Sequence, residues 1–204
     1  MKIEEFGLLV KTLRHTTQDP YGNYWTRETL SKAIHLTPHQ LGRLERGDRK
    51  YVDNQTLRLL AHAFKLSKLE KREFFFAASG LSNQALYEHA QAETMLNEIV
   101  AVIEIIKVPA LALDAYSDIV AANASMLELF MISPDLIDFA RQIPAGFNLI
   151  HYLYSPHFGC REVFGDSWRT VATIEILQFR RSSLRYRHTE YFQALFKALQ
   201  KEKY

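Results

Sequence analysis

A chain of 204 residues with 48% apolar and 12% aromatic side chains can close one large core or two small ones, which excludes a disordered chain. Its single cysteine, Cys160, excludes a disulfide framework and a cysteine-based zinc site within one chain. The net charge of +2 hides an asymmetry: residues 1–72 carry 14 Lys and Arg against 8 Asp and Glu, and residues 73–204 carry 11 against 15. A basic first part on a mildly acidic remainder fits either a polyanion partner for the first part or two ordinary solvated surfaces.

The N-terminal stretch "MKIEEFGLLVKTLRHTT" has early acidic residues and a short apolar run, so it is not a signal peptide. The longest apolar stretches are broken by charge or proline, so neither a transmembrane helix nor membrane insertion is expected. The lone cysteine fits a reducing cytoplasm. "EEFGLLVKTLRH" sets Phe6, Leu9, Val10 and Leu13 at helical spacing, and the turn-rich loop "QDPYGNYW" follows. Thr26 caps "RETLSKAI", and the turn "HLT" leads to "TPHQLGRLERG", with Thr37 as cap and Pro38 at the first helical position. Asp53 caps "NQTLRLLAHAF", Ser67 caps "KLEKREFFFAAS", and Gly80 closes the last of five short helices.

From Tyr87 to Ile106 a longer helical pattern carries Leu96, Ile99, Val100, Ile103 and Ile106 on one stripe. It reads as a connector, and its stripe as either a dimer seam or a face packed on its own domain. "PALALDA" and "DIVAANA" read as adjacent strands. Helical patterns return in "SMLELFMI", "NLIHYLYS", "REVFGDSWRTVATIEILQFRRSS" and "TEYFQALFKALQKEKY", with Asn123 and Asn148 as caps. The expected organisation is residues 1–80, a connector over 81–107, and a second domain over 108–204.

The unit Thr26–Gly47 carries the functional signal. Leu30, Ile34, Leu36, Leu41 and Leu44 form an inward set that fixes two helices across a tight turn. His39, Gln40 and Arg43 then face outward on the second helix, with side chains suited to base edges. Thr37 and the first backbone N–H groups suit a phosphate, Thr26 and Arg27 open the preceding helix, and Arg46, Arg49 and Lys50 flank the exit turn.

On "TRETLSKAI", "TPHQLGRLERG" with its L-x-R-G ending, and "DNQTLRLLAHAFKLS", residues 5–66 resemble the lambda-repressor-like DNA-binding domain of the XRE family. That resemblance implies double-stranded DNA as partner, a homodimer, and Arg27, Thr37, His39, Gln40 and Arg43 as contacts. His35 stands where the family usually has glycine in the turn, Arg27 where it often has glutamine, and Gly42 lies within the recognition helix. The alternative is a protein-interaction or structural module with the same fold that does not bind DNA.

Residues 90–199 resemble, more loosely, the PAS-like ligand-binding domain of MmyB-like regulators. The resemblance rests on "VPALALDAYSDIVAANASMLELF", "FNLIHYLYSP" and "DSWRTVA". It implies an apolar or fatty-acyl-type ligand. Further strands normally follow in that family, whereas this chain ends at "KALQKEKY", so the sheet is expected to be minimal or truncated. The aromatic supply is a cavity wall or an ordinary core; Phe130, Phe147, Tyr152, Tyr154 and Trp168 are the candidate lining, and His151 and Arg169 the candidate anchors for an acidic head. Arg161 is a further anchor candidate, and the run "FRRSSLRYRH" reads as an anion site or a solvated basic turn.

No enzyme motif is present: no G-x-S-x-G, no phosphate-cradling glycine loop and no H-E-x-x-H. His35 and His39 straddle a turn, and His157 with Cys160 supplies two metal ligands at most, so no metal and no cofactor are expected. The expected fold is mainly α: a five-helix lambda-repressor-like head followed by an α+β PAS-like domain with few strands. The expected function is sequence-specific transcriptional regulation tuned by an apolar small molecule.

Overall fold

A computed structural model describes residues 1–49, 51–80 and 92–201. The expected contact Lys50, and residues 81–91 with the start of the expected connector, lie outside the described residues. The chain divides into two compact units. One comprises Met1–Leu86 together with Leu184–Thr189, the other Tyr87–Ser183 together with Glu190–Tyr204. The helix expected as a separate connector thus groups with the second unit, and a short C-terminal turn groups with the first.

The first unit is built from α1 (Ile3–Thr16), α2 (Arg27–Ala33), α3 (Pro38–Glu45), α4 (Asn54–Ala63) and α5 (Lys68–Ala78). Each start after α1 is fixed by the local chemistry that its sequence announces. Thr26, Thr37, Asp53 and Ser67 accept the N–H of Thr29, Gln40, Thr56 and Glu70 respectively, satisfying donors that the first helical turn leaves open. Phe6, Leu9, Val10 and Leu13 of α1 are buried with Leu30, Ile34, Leu41, Leu44, Leu60 and Phe74 in one core. Leu36 packs at its edge, partly buried.

Two glycines let the helices approach. A Cβ on Gly7 would stand 2.5 Å from the Leu44 carbonyl oxygen and 2.8 Å from that of Glu45, so α1 and α3 meet backbone to backbone there. Gly47 has φ +77°, and a Cβ on it would stand 2.7 Å from Glu4 Cα. His35 adopts φ +56° in the turn between α2 and α3, the left-handed conformation that histidine tolerates better than most residues.

The basic run expected as an anion site or a solvated turn is neither at its C-terminal end. Leu184 is fully buried in the first unit's core. Arg187 pairs with the buried Glu70 at 2.8 Å, and Arg185 with Glu73 at 3.1 Å. These partners lie more than 100 residues away in sequence, which is why local composition misreads the run.

The second unit contains α6 (Ala92–Ile105), β1 (Leu111–Leu113), β2 (Ile119–Ala122), α7 (Ala124–Leu129), α8 (Pro134–Gln142), α9 (Leu149–Tyr154), α10 (Cys160–Phe164), α11 (Trp168–Ser182) and α12 (Glu190–Lys201). The strands pair antiparallel, Leu111 with Ala122 and Leu113 with Ile119, with an irregularity between Ala112 and Leu113. So the described residues are mainly helical with a small two-stranded sheet, as expected. The expected helix from Arg161 to Ser183 is interrupted at Gly165 (φ +51°), which separates α10 from α11. α8 was not anticipated, although Ser133 caps it and Pro134 occupies its first position.

Two asparagines hold the sheet in its setting. Asn123 caps α7, donates to the Ile106 and Val108 carbonyls at 2.9 and 2.8 Å, and accepts the Ala110 N–H. Asn148 caps α9 and donates to the Tyr116 carbonyl and the Asp118 carboxylate at 2.7 and 2.8 Å. A lone hairpin is marginal in water, so these side chains and the covering helices supply the order that two strands lack.

The α1–α3 approach yields a direct prediction. Gly7→Ala places a methyl group against two backbone carbonyls that cannot swing away, so it destabilises the first unit by about 1–3 kcal/mol. Urea unfolding followed by circular dichroism reads this as a lower midpoint at unchanged slope.

Candidate functional site

In the first unit, α2 and α3 form a helix-turn-helix arrangement. Leu41, Gly42, Leu44 and Glu45 are buried, whereas Pro38, His39, Gln40 and Arg43 are exposed. The face expected to be outward is therefore outward. Gln40 also serves locally: its side-chain oxygen accepts the Thr37 N–H at 2.8 Å, and Thr37 Oγ1 accepts the Gln40 N–H at 3.1 Å. This capping box ties up the Gln40 acceptor and leaves its amide nitrogen as the end suited to a partner. Thr26 likewise exchanges hydrogen bonds with Thr29 at the start of α2.

The arginines are pre-set by acceptors within the unit. Arg14 Nε lies 2.6 Å from Glu45 Oε1, and Arg27 Nη2 lies 2.8 Å from Glu45 Oε2. Arg14 and Glu45 are buried, while the Arg27 side chain is 43% exposed. Two guanidiniums on one carboxylate leave a net positive charge, and Arg27 carries it to the surface beside α3. Burial alone would push the Glu45 carboxyl up, but the Arg14 and Arg27 hydrogen bonds outweigh it and hold it below the ordinary glutamate value. Arg46 pairs with Asp48 at 2.8 Å, and Arg49 approaches Asp53 at 3.6 Å. Arg43 Nη2 donates to the Asp48 carbonyl at 3.4 Å. Tyr51, two residues after Arg49 in the chain, is 70% exposed and lies outside the expected contact set.

In the second unit a cavity of about 250 Å³ opens between the hairpin and the helices over it. Leu111, Ile119, Met126, Leu127, Phe130, Ile132, Ile137, Phe147, Leu149 and Tyr152 supply its apolar wall, and Arg141 the one charged side chain. Phe130, Phe147 and Tyr152 are thus brought together as the sequence reading has them. The other four expected ligand residues do not line it. His151 is buried with Nδ1 3.1 Å from the Ala145 oxygen and packs edge-on against Phe158. Tyr154 donates to the Ala172 carbonyl at 3.1 Å and lines a separate groove with Ile150 and Phe179. Trp168 donates to the Leu153 carbonyl at 2.8 Å beneath the Arg161 guanidinium, which accounts for Arg161 as well. Arg169 is exposed on α11.

The cation is instead Arg141, at the end of α8 and paired with Asp138 at 3.0 Å in a solvent-exposed setting. No helix is expected over Pro134–Gln142 from the sequence pattern, and so no place for Arg141 at its end. Burial, with the Tyr152 hydrogen bond opposing it, pushes the Cys160 thiol up to about 12, so this sulfur stays protonated at neutral pH. Among the described residues no group of His, Cys, Asp and Glu is placed to hold a metal ion. Nor is any helix there long and apolar enough to cross a membrane.

A small apolar chamber with one cation at its edge is the build of a small-molecule-binding module. Residues 97–203, just over half of the chain, match the family model for the MmyB-like transcription regulator ligand-binding domain. The chain belongs to this family of transcription regulator domains. No curated protein matches it.

Glu45 gives the first unit a signed pH dependence. Its folded value is lowered, so its contribution is fully present above about pH 4.5 and is lost as pH falls through the folded value. Glu45→Gln leaves two arginines uncompensated and costs about 3–5 kcal/mol at pH 7. Its unfolding midpoint varies less between pH 7 and pH 3 than the parent's, measured by urea titration at each pH. Glu70, lowered in the same sense, keeps part of that acid limb in both proteins.

Proposed function

We propose that this chain is a sequence-specific DNA-binding transcriptional regulator, acts as a homodimer, and is not an enzyme. The observation that carries the reading is the outer face of α3, where His39, Gln40 and Arg43 are exposed over a buried Leu41 and Leu44. Arg43 suits guanine O6 and N7, and Gln40 offers a donor. Thr26, Arg27, Thr37, Arg46, Arg49 and Lys50 serve the phosphates, with the pairs on Asp48 and Asp53 giving way to the nucleic acid. Two copies must present their α3 helices about 34 Å apart to read half-sites one turn apart. Of the stripe expected on α6, Ile103 is buried within its own unit, while Leu96 and Ile99 are exposed and, with the exposed Val102 beside them, supply an apolar seam for that pairing.

The second unit then senses a small amphiphile, a fatty-acid-like anion. An apolar wall takes the chain, and Arg141 takes the carboxylate. The cavity of about 250 Å³ lies just under the roughly 300–1,000 Å³ of typical ligand sites, which favours a short or medium chain. Ligand binding biases how the two heads are presented.

Anisotropy with a labelled duplex that the protein binds tests the head. Arg43→Ala costs about 1–3 kcal/mol and relaxes sequence preference, whereas Arg46→Ala weakens all sequences alike and lowers the salt slope by about 1. Affinity that does not change with salt would remove the phosphate roles. Calorimetric titration with decanoate and decanol tests the cavity. The parent prefers the acid, Arg141→Ala loses that preference, and equal affinities in the parent would contradict the assignment.

A further inference from the structure

The first unit is not complete at residue 80. Leu184–Thr189 belong to it, although the helices on either side of them, α11 and α12, belong to the second unit. Leu184 has no solvent exposure and joins the core that holds Phe6 and Phe74. Arg187 reaches Glu70, which also has no exposure and whose other oxygen accepts the Ser67 N–H at the start of α5. Arg185 pairs with Glu73 and lays its guanidinium over the Phe76 ring, 4.3 Å from the centroid. Core, cap and outer face of α5 are thus each touched by a six-residue turn.

We propose that Leu184–Thr189 is a strap that completes the head, so that the head's order depends on the state of α11 and α12. The physical reason is the cost of leaving α5 without it. Glu70 is a carboxylate with no contact with water, and a guanidinium is among the partners that allow it to stay charged. The Leu184 side chain fills space between α1 and α5 that would otherwise be a void. Six residues do not hold this conformation alone, since a short turn lacks the contacts to offset its ordering entropy. The chain tethers them at both ends, running from α11 on one side and into α12 on the other. An event in the C-terminal domain that shifts either helix therefore loosens α5, and through the shared core α1 and α3. The inference does not rest on DNA binding, and its test uses none.

Hydrogen–deuterium exchange of the full chain reads each element separately. In Arg187→Ala, peptides of α1 and α5 exchange at least about tenfold faster, while the Leu111–Ala122 hairpin keeps its protection. Unchanged exchange in α1 and α5, or an equal rise throughout the chain, overturns the strap. A second variant tests control from the other side. Phe192 of α12 stacks on Phe179 of α11 with ring centroids 5.9 Å apart, so Phe192→Leu loosens the two anchors at a residue that belongs to the second unit. Faster exchange in α5 as well as in α11 and α12 supports the dependence. A rise confined to α11 and α12 overturns it. Loss of decanoate or DNA binding in other experiments leaves both readouts unaffected.

Discussion

Glu45 holds the first unit together at the point where three helices meet. Its carboxylate closes on Arg14 from α1 and Arg27 from α2 while it sits at the end of α3. Desolvating a carboxylate is costly, and here the two guanidiniums offset that cost while carrying a surplus positive charge outward. The same knot fixes the angle of α3, because Gly7 brings the α1 backbone against the carbonyls of Leu44 and Glu45. Each letter of "LERG" then has a physical task. Leu44 enters the core, Glu45 closes the knot, Arg46 lies near Gly42 and Asp48, and Gly47 makes the left-handed turn against α1.

The second unit solves a different problem. Two strands bury little, so order comes from polar pins at their ends and from helices that cover them. Asn123 and Asn148 each satisfy several backbone groups at once, and Tyr191 donates to the Asp118 carboxylate that Asn148 also holds. With the ends pinned, the middle need not be filled. The apolar space between the hairpin, α7, α8 and α9 remains as a chamber, and its wall is drawn from residues that would elsewhere complete a core. The placement of Arg141 at the last turn of α8 brings a charge to that chamber without burying it.

What the sequence made legible was local. As caps, Thr26, Thr37, Asp53, Ser67, Asn123 and Asn148 reach no further than three residues ahead, and all six cap the helices they were assigned. The inward leucines of α2 and α3 follow a period that needs no tertiary knowledge. What stayed hidden depends on long separations. Arg14 and Glu45 are 31 residues apart, and Arg187 and Glu70 are 117 apart. His151, Tyr154 and Trp168 have the residue types of a cavity wall, but each is held by a backbone carbonyl that no pattern announces. Gly42 lies inside α3, where glycine lowers helix propensity. An added methyl there would make ordinary contact with Arg46 and Arg27, so packing does not require the glycine.

The central claim is that the exposed face of α3 reads base sequence as one half of a symmetric pair. Selection of bound duplexes from a random library by the full chain tests it most directly. The account predicts enrichment of an inverted repeat whose half-sites lie about 10 base pairs apart, centre to centre. A bound pool with no shared sequence, or no bound pool at moderate salt, would contradict it.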